Sequence, residues 1–306
     1  MNRQIYSVPA LWLIVLFTAV SAVQCTRTNA DKLVDSWLVG TYTGLMYDFS
    51  QEEFHAFREA GIAYLELSIN PLMSMSEQER VEWIAEFRDK TQAAGLRVWS
   101  VHMPWSNTLD ISTNNEEHRL HTIETHIRTM EMLEPLNIQK YVMHPSAEPI
   151  ADEDRPQRLR NAIASLNVLA KESENFSGTI AIEVMPRTLL ANTSDEILYI
   201  ISQVDGPLEI CFDTNHVLQE EPEEFARRVG DLITTVHVSD YDGLDEKHWL
   251  PGRGSINWNN VIDELVHIGF EGPWMYEVVR REGDDPMPTA EVLVENWKML
   301  KDAYRQ

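Results

Sequence analysis

This chain is poor in cysteine and in positive charge, and it lacks a glycine-rich nucleotide-binding turn. Each shortage removes a class of protein. Only Cys25 and Cys211 occur among its 306 residues, so once Cys25 is removed or lipidated no intramolecular disulfide can form. A domain without disulfides must be held by a large core, and an apolar fraction of 43% is ordinary for one. Basic residues number 25 against 49 acidic ones, a formal net charge of −24, which opposes a phosphate backbone and argues against nucleic acid as a partner. No G-x-G-x-x-G fingerprint follows any strand pattern, which leaves an open doubly wound sheet without its usual support.

The one long apolar run lies at the start. Residues 1–25, MNRQIYSVPALWLIVLFTAVSAVQC, carry Arg3 as their only charge, an apolar stretch from Val8 to Val20, and small residues before a Cys. That is the layout of an export signal, too short and too near the terminus for a membrane span. Cleavage after Ala22 fits a Val-x-Ala pattern and releases a free protein, whereas Cys25 resembles the lipid-accepting Cys of a bacterial lipoprotein, with Gln24 an unusual predecessor. An uncleaved anchor is a third reading. The first two place the chain in the cell envelope, periplasmic or held by an N-terminal lipid, with no other membrane contact expected.

From residue 36 to 306 short apolar runs alternate with amphipathic stretches, as in AYLELSI followed by SEQERVEWIAEFRDKTQAAG. Val81, Ile84, Ala85 and Phe87, like Ala162, Ile163, Leu166 and Leu169, recur at helical spacing. Gly61, Gly95, Gly230 and Gly269 stand where helices stop. The apolar runs are continuous, the mark of parallel strands covered on both faces. Eight such units without an interrupting linker predict a single (β/α)8 TIM barrel.

In such a barrel the active site lies at the C-terminal ends of the strands. There the sequence places His102 after strand three, His144 after strand four, Glu183 on strand five, and Asp213 with His216 on strand six. His237 and Asp240 follow on strand seven, and Glu277 on strand eight. One such residue alone is more often a satisfied polar group, but six successive strands converging on one rim are not accidental. Glu183, Asp213, His237 and Glu277 together suit a divalent cation with mixed oxygen and nitrogen ligands, manganese, zinc or cobalt. His118, His121 and His126 are expected on the solvated face of one helix, and His55 and His267 on others. Residues 220–225, EEPEEF, read as an acidic helix start.

IEVMP at 182–186, FDTNH at 212–216, HVSD at 237–240, PGRGSINW at 251–258 and YEV at 276–278 resemble, in this order, the xylose isomerase-like barrel superfamily. That superfamily holds sugar-phosphate isomerases and epimerases, ketose 3-epimerases, hydroxypyruvate isomerases and endonuclease IV. The resemblance spans the chain after about residue 35. It implies a metal held by Glu183, Asp213, His237 and Glu277, with Glu183 and Glu277 also moving protons on opposite sides of a sugar, and with His216 and Arg253 touching sugar oxygens. Two departures stand out. The stretch VMPRTLLANT after strand five lacks an acidic residue found there in ketose epimerases. His102 and His144 resemble instead the second-metal histidines of endonuclease IV, and His216, Glu246 and His248 extend that analogy to a third metal. The simpler expectation is that His102 and His144 bind substrate hydroxyls beside a single metal.

The expected activity is therefore a metal-dependent sugar isomerase or epimerase acting through an enediolate on a small carbohydrate. A lyase or hydratase on an oxidised sugar, using the same enolate, comes second. An endonuclease IV-like phosphodiesterase is disfavoured by the charge, and a saccharide-binding lipoprotein without catalysis by the presence of both glutamates. The loop HVSDYDGLDEKHWLPGRG is expected to form the mouth of the site, with Arg253 and Trp249 facing substrate and Glu246 and His248 serving as ligands or substrate contacts.

Overall fold

The computed structural model describes residues 29–279 and 288–306. The expected export segment, residues 1–25, lies outside them. After helical residues 29–36, eight strands follow in order, each leading to a helix. They are β1 (Val39–Tyr42), α1 (Gln51–Ala60), β2 (Tyr64–Ser68), α2 (Glu77–Ala94), β3 (Arg97–His102) and α3 (Glu116–Leu133). Next are β4 (Lys140–Met143), α4 (Arg155–Ser173), β5 (Thr179–Glu183), α5 (Ser194–Ser202), β6 (Leu208–Asp213) and α6 (Pro222–Val229). The last are β7 (Ile233–His237), α7 (Trp258–His267), β8 (Trp274–Tyr276) and α8 (Ala290–Tyr304). Among the described residues no helix is long and apolar enough to cross a membrane.

All strand pairs are parallel, in the order β7-β6-β5-β4-β3-β2-β1-β8. A parallel bridge between Val238 and Tyr276, with Val238 N–H donating to Met275 O at 2.8 Å, joins β7 to β8. The sheet therefore returns on itself as a barrel, and the open-sheet alternative is excluded.

Local signals are in place. Ser76 and Glu79 form a reciprocal capping box at the start of α2, and Gly61 and Gly95 end α1 and α2 in left-handed backbone. One expectation fails. His118 and His121 are exposed, but His126 is only 2% exposed because it shares the stripe Ile123, Met130 and Leu133 with which α3 packs on the barrel. Burial lowers its pKa to about 4, and its Nδ1 has no hydrogen-bond partner.

Strand alternation positions the site. On β4, β5 and β6, Tyr141, Met143, Ile180, Ile182, Ile210 and Phe212 belong to the large core under the helices, while Val142, Ala181 and Cys211 form a separate cluster on the opposite, inner face. Two residues further along each strand the same inward parity delivers His144, Glu183 and Asp213. His237 stands likewise above Thr235, and His102 above Ser100. Small apolar side chains thus plug the barrel, and the next layer is made of histidines and acids.

Candidate active site

Glu183 is the centre. It is wholly buried, and its Oε2 lies 3.0 Å from His144 Nε2 and 3.3 Å from His102 Nε2. Its Oε1 lies 3.1 Å from His237 Nδ1, and Glu277 Oε2 approaches the same nitrogen at 3.1 Å. Asp213 Oδ2 and His216 Nδ1 are 3.2 Å apart, and His216 Nε2 faces Glu246 Oε2 at 3.3 Å. Three groups of convergent donors result: His102, His144 and Glu183; Glu183, Asp213, His237 and Glu277; and His216, Glu246 and His248, each with donor atoms within 4.8 Å of one another.

These groups fit divalent cations on two counts. Glu183 Oε2, Asp213 Oδ2 and Glu277 Oε2 are buried yet accept no hydrogen bond, an arrangement costly without a counter-charge. Metal bonds near 2.1 Å at right or tetrahedral angles separate neighbouring donors by about 3.0–3.4 Å, the spacing found here between imidazole nitrogens and carboxylate oxygens. Ring orientation agrees. His102 Nδ1 lies 3.2 Å from Met103 O and His216 Nδ1 lies 3.1 Å from Val184 O. A carbonyl only accepts, so each ring donates Nδ1–H to it and turns Nε2 inward.

Charges in the site are strongly linked. Burial opposes charge on His102, but the adjacent Glu183 carboxylate, with those of Glu66 and Glu277, outweighs this and pushes it up to about 9. Burial alone would raise Glu277, yet the neighbouring His237 and His248 hold it well below the usual carboxylate range. Burial pushes Asp213 up.

The loop between β7 and α7 is built around Asp240 and Asn215. Asp240 accepts from the backbone N–H groups of Tyr241, Gly252 and Ile256 and from Trp258 Nε1. It is thus the scaffold of the PGRGSINW turn and not a rim ligand. Gly254 is obligatory in that turn, because a Cβ would collide with the Tyr241 carbonyl and the Asp240 carboxylate. Asn215 Oδ1 accepts from Lys247 N–H at 2.8 Å and His248 N–H at 2.9 Å, fixing Glu246 and His248 over His216. His248 has φ of 49°, strained for a residue with a Cβ and held by these bonds. Asp245 pairs with Arg187, and Asp242 is a turn residue accepting from Leu244 and Asp245 N–H.

A cavity of about 390 Å³ opens over this layer, within the usual range for a small ligand. His102, His144, Glu183, His216, Glu246, His248 and Glu277 border it. Among the described residues Trp249 and Arg253 do not border it; Trp249 is 37% exposed and pairs through its backbone with Asp240. Glu66, Trp105 and Arg187 are among the wall residues that lie outside the expectation drawn from the sequence. Glu66 lies at the base, 1% exposed. Trp105 is 47% exposed and stacks on His144 at 4.9 Å, its backbone clasped by the Asn70 amide through Trp105 N–H at 3.1 Å and Trp105 O at 3.3 Å. Arg187 bridges Glu148, Asp245 and Glu246 across the mouth. A lone acidic residue inside the apolar run AYLELSI is the available signal for Glu66.

The model of the xylose isomerase-like TIM barrel family matches residues 54–303. The chain belongs to this family. A ketose 3-epimerase of Arthrobacter globiformis is 24% identical over 72% of this chain and 74% of its own length. A probable endonuclease 4 of Haloquadratum walsbyi is 27% identical over 66% of this chain and 72% of its own. A solved D-tagatose 3-epimerase-like protein superposes with a TM-score of 0.71 at 24% identity, covering 87% of this chain and 96% of that one. Sugar epimerases and a probable endonuclease thus both stand among the relatives of this family member.

Proposed function

We propose that this family member is a divalent-metal-dependent sugar isomerase or epimerase that removes and returns a proton next to a carbonyl. The observation that carries the reading is the approach of Glu183 and Glu277, from β5 and the end of β8, to one imidazole nitrogen at 3.1 Å each, beside a cavity that both border. The A. globiformis ketose 3-epimerase supports the same chemistry. When bound, a manganese, zinc or cobalt ion polarises the substrate carbonyl and offsets the negative charge that develops on its oxygen. Glu183, Asp213, His237 and Glu277 hold that ion. One glutamate takes the C–H proton as the bonding pair moves into the enediolate; the other returns a proton to the opposite face or to the adjacent carbon. Trp105 presents an apolar face suited to the C–H side of a sugar ring, and His102, His144 and His216 offer polar atoms for hydroxyls. The substrate is a small carbohydrate and not a nucleic acid. We extend the proposal to location: an exported protein of the cell envelope, meeting unphosphorylated saccharides.

The two further donor groups favour a second reading, metal-assisted hydrolysis of a phosphoester, in keeping with the endonuclease 4 relative. Product analysis separates them. With the metal-loaded protein and a panel of ketoses, keto-glycosides and phosphate esters, inversion or isomerisation is expected, and Glu183→Gln and Glu277→Gln should each lower its rate about 10²–10⁴-fold with the fold retained. Full activity in either variant, or release of phosphate alone, overturns the proposal.

A further inference from the structure

We infer that Glu66 is a positioning residue that fixes the ring of His237 so that Nδ1 points into the four-donor group. Both Glu66 oxygens lie 2.9 Å from His237 Nε2, and Oε2 also accepts from Ser100 Oγ at 2.7 Å. An ionised carboxylate only accepts, so Nε2 carries a hydrogen, and Nδ1, which faces the Glu183 and Glu277 carboxylates, is the nitrogen left to give its lone pair to a cation held among them. That nitrogen is the one lying 3.1 Å from both Glu183 and Glu277.

His237 is thereby inverted relative to His102 and His216, whose Nδ1–H groups bond backbone carbonyls and whose Nε2 atoms face the site. For those two the orienting acceptor is nearby main chain; for His237 it comes from β2, 171 residues away and across the barrel. Burying a carboxylate at 1% exposure is costly unless its bonds offset the desolvation. Both oxygens bond His237, Oε2 also accepts from Ser100, and the side chain is 1% exposed, so its bonds go to protein groups beneath the cavity. Outer carboxylates of this kind commonly set ligand affinity for a metal.

The inference rests on the metal dependence proposed above. The test measures Zn²⁺ and Co²⁺ affinity by chelator competition at pH 7.5, at the site that His237→Asn abolishes, together with the Co²⁺ absorption spectrum and the urea midpoint of the metal-free protein. Glu66→Leu should weaken binding about 10–100-fold and alter the Co²⁺ spectrum. Glu66→Gln, whose amide oxygen accepts the same Nε2–H, should recover most of that loss. Ser100→Ala, which removes only the support of Glu66, should keep the fold and lose a few-fold. Wild-type affinity in a folded Glu66→Leu, or in Ser100→Ala if Glu66→Leu does not fold, overturns the role of Glu66, as does a Glu66→Gln loss equal to that of Glu66→Leu. A wild-type protein that binds no divalent ion refutes the metal dependence itself.

Discussion

Replacing His126 with leucine should make the protein's stability less sensitive to acid, by an amount the burial of that ring determines. His126 is 2% exposed on the packed face of α3, and burial lowers its pKa from 6.5 to about 4. Protonation therefore favours the unfolded chain: its stabilising neutral form is fully present above pH 6.5 and is lost progressively as the pH falls toward 4. Each tenfold change in proton affinity corresponds to roughly 1.4 kcal/mol, so the full effect is about 3 kcal/mol, of which about 2 kcal/mol is felt by pH 5. Leucine fills a similar volume and removes the unpartnered Nδ1, so at pH 7.5 the two proteins should be close in stability. Urea unfolding of wild type and His126→Leu at pH 7.5, 6 and 5, with chelator present, isolates the effect because titrations common to both cancel. The variant should gain about 2 kcal/mol relative to wild type at pH 5. A stability difference that does not change with pH refutes the assignment.

Acid should also release bound metal. Binding requires a neutral His237 and engages Glu183, the carboxylate beside which His102 is pushed up to about 9 in the metal-free site, so loading displaces protons. Zn²⁺ addition to a weakly buffered solution at pH 7.5 should acidify it, and affinity should fall as the pH is lowered; pH-independent affinity would contradict this. Gly254→Ala should disturb the turn that Asp240 organises and cost about 2 kcal/mol or more in urea unfolding, since its Cβ meets backbone and a buried carboxylate. Unchanged stability would show that the turn yields.

Much of this architecture is legible in the sequence, for a physical reason. Parallel strands covered on both faces produce continuous apolar runs, and a strand that ends in Glu, Asp or His in such a context has few places to put it other than the rim. Ala181 and Cys211, small and inward, precede Glu183 and Asp213 by one two-residue period, so the polar layer of the candidate site is written as a change of residue type at fixed parity. Glu66 is harder to see because one acidic residue in AYLELSI resembles ordinary strand alternation, and the His237 that explains it is distant in sequence. His126 departs from the expected solvated face because the helix EEHRLHTIETHIRTMEML is polar on most of its turns, which hides the narrow stripe of Ile123, His126, Met130 and Leu133. In the PGRGSINW loop the motif draws attention to Arg253, while the geometry depends on Asp240 gathering three backbone N–H groups and an indole.

Solvent deuterium exchange tests the central claim most directly. Metal-loaded protein in D₂O with a panel of free, oxidised and phosphorylated keto-sugars should transfer deuterium to the carbon beside the carbonyl of at least one of them, read by proton NMR. The exchange should stop on chelation and return on adding back Mn²⁺, Zn²⁺ or Co²⁺. Absence of exchange across the panel, with phosphate released from an ester by the same preparation, would contradict the account and leave metal-assisted hydrolysis in its place.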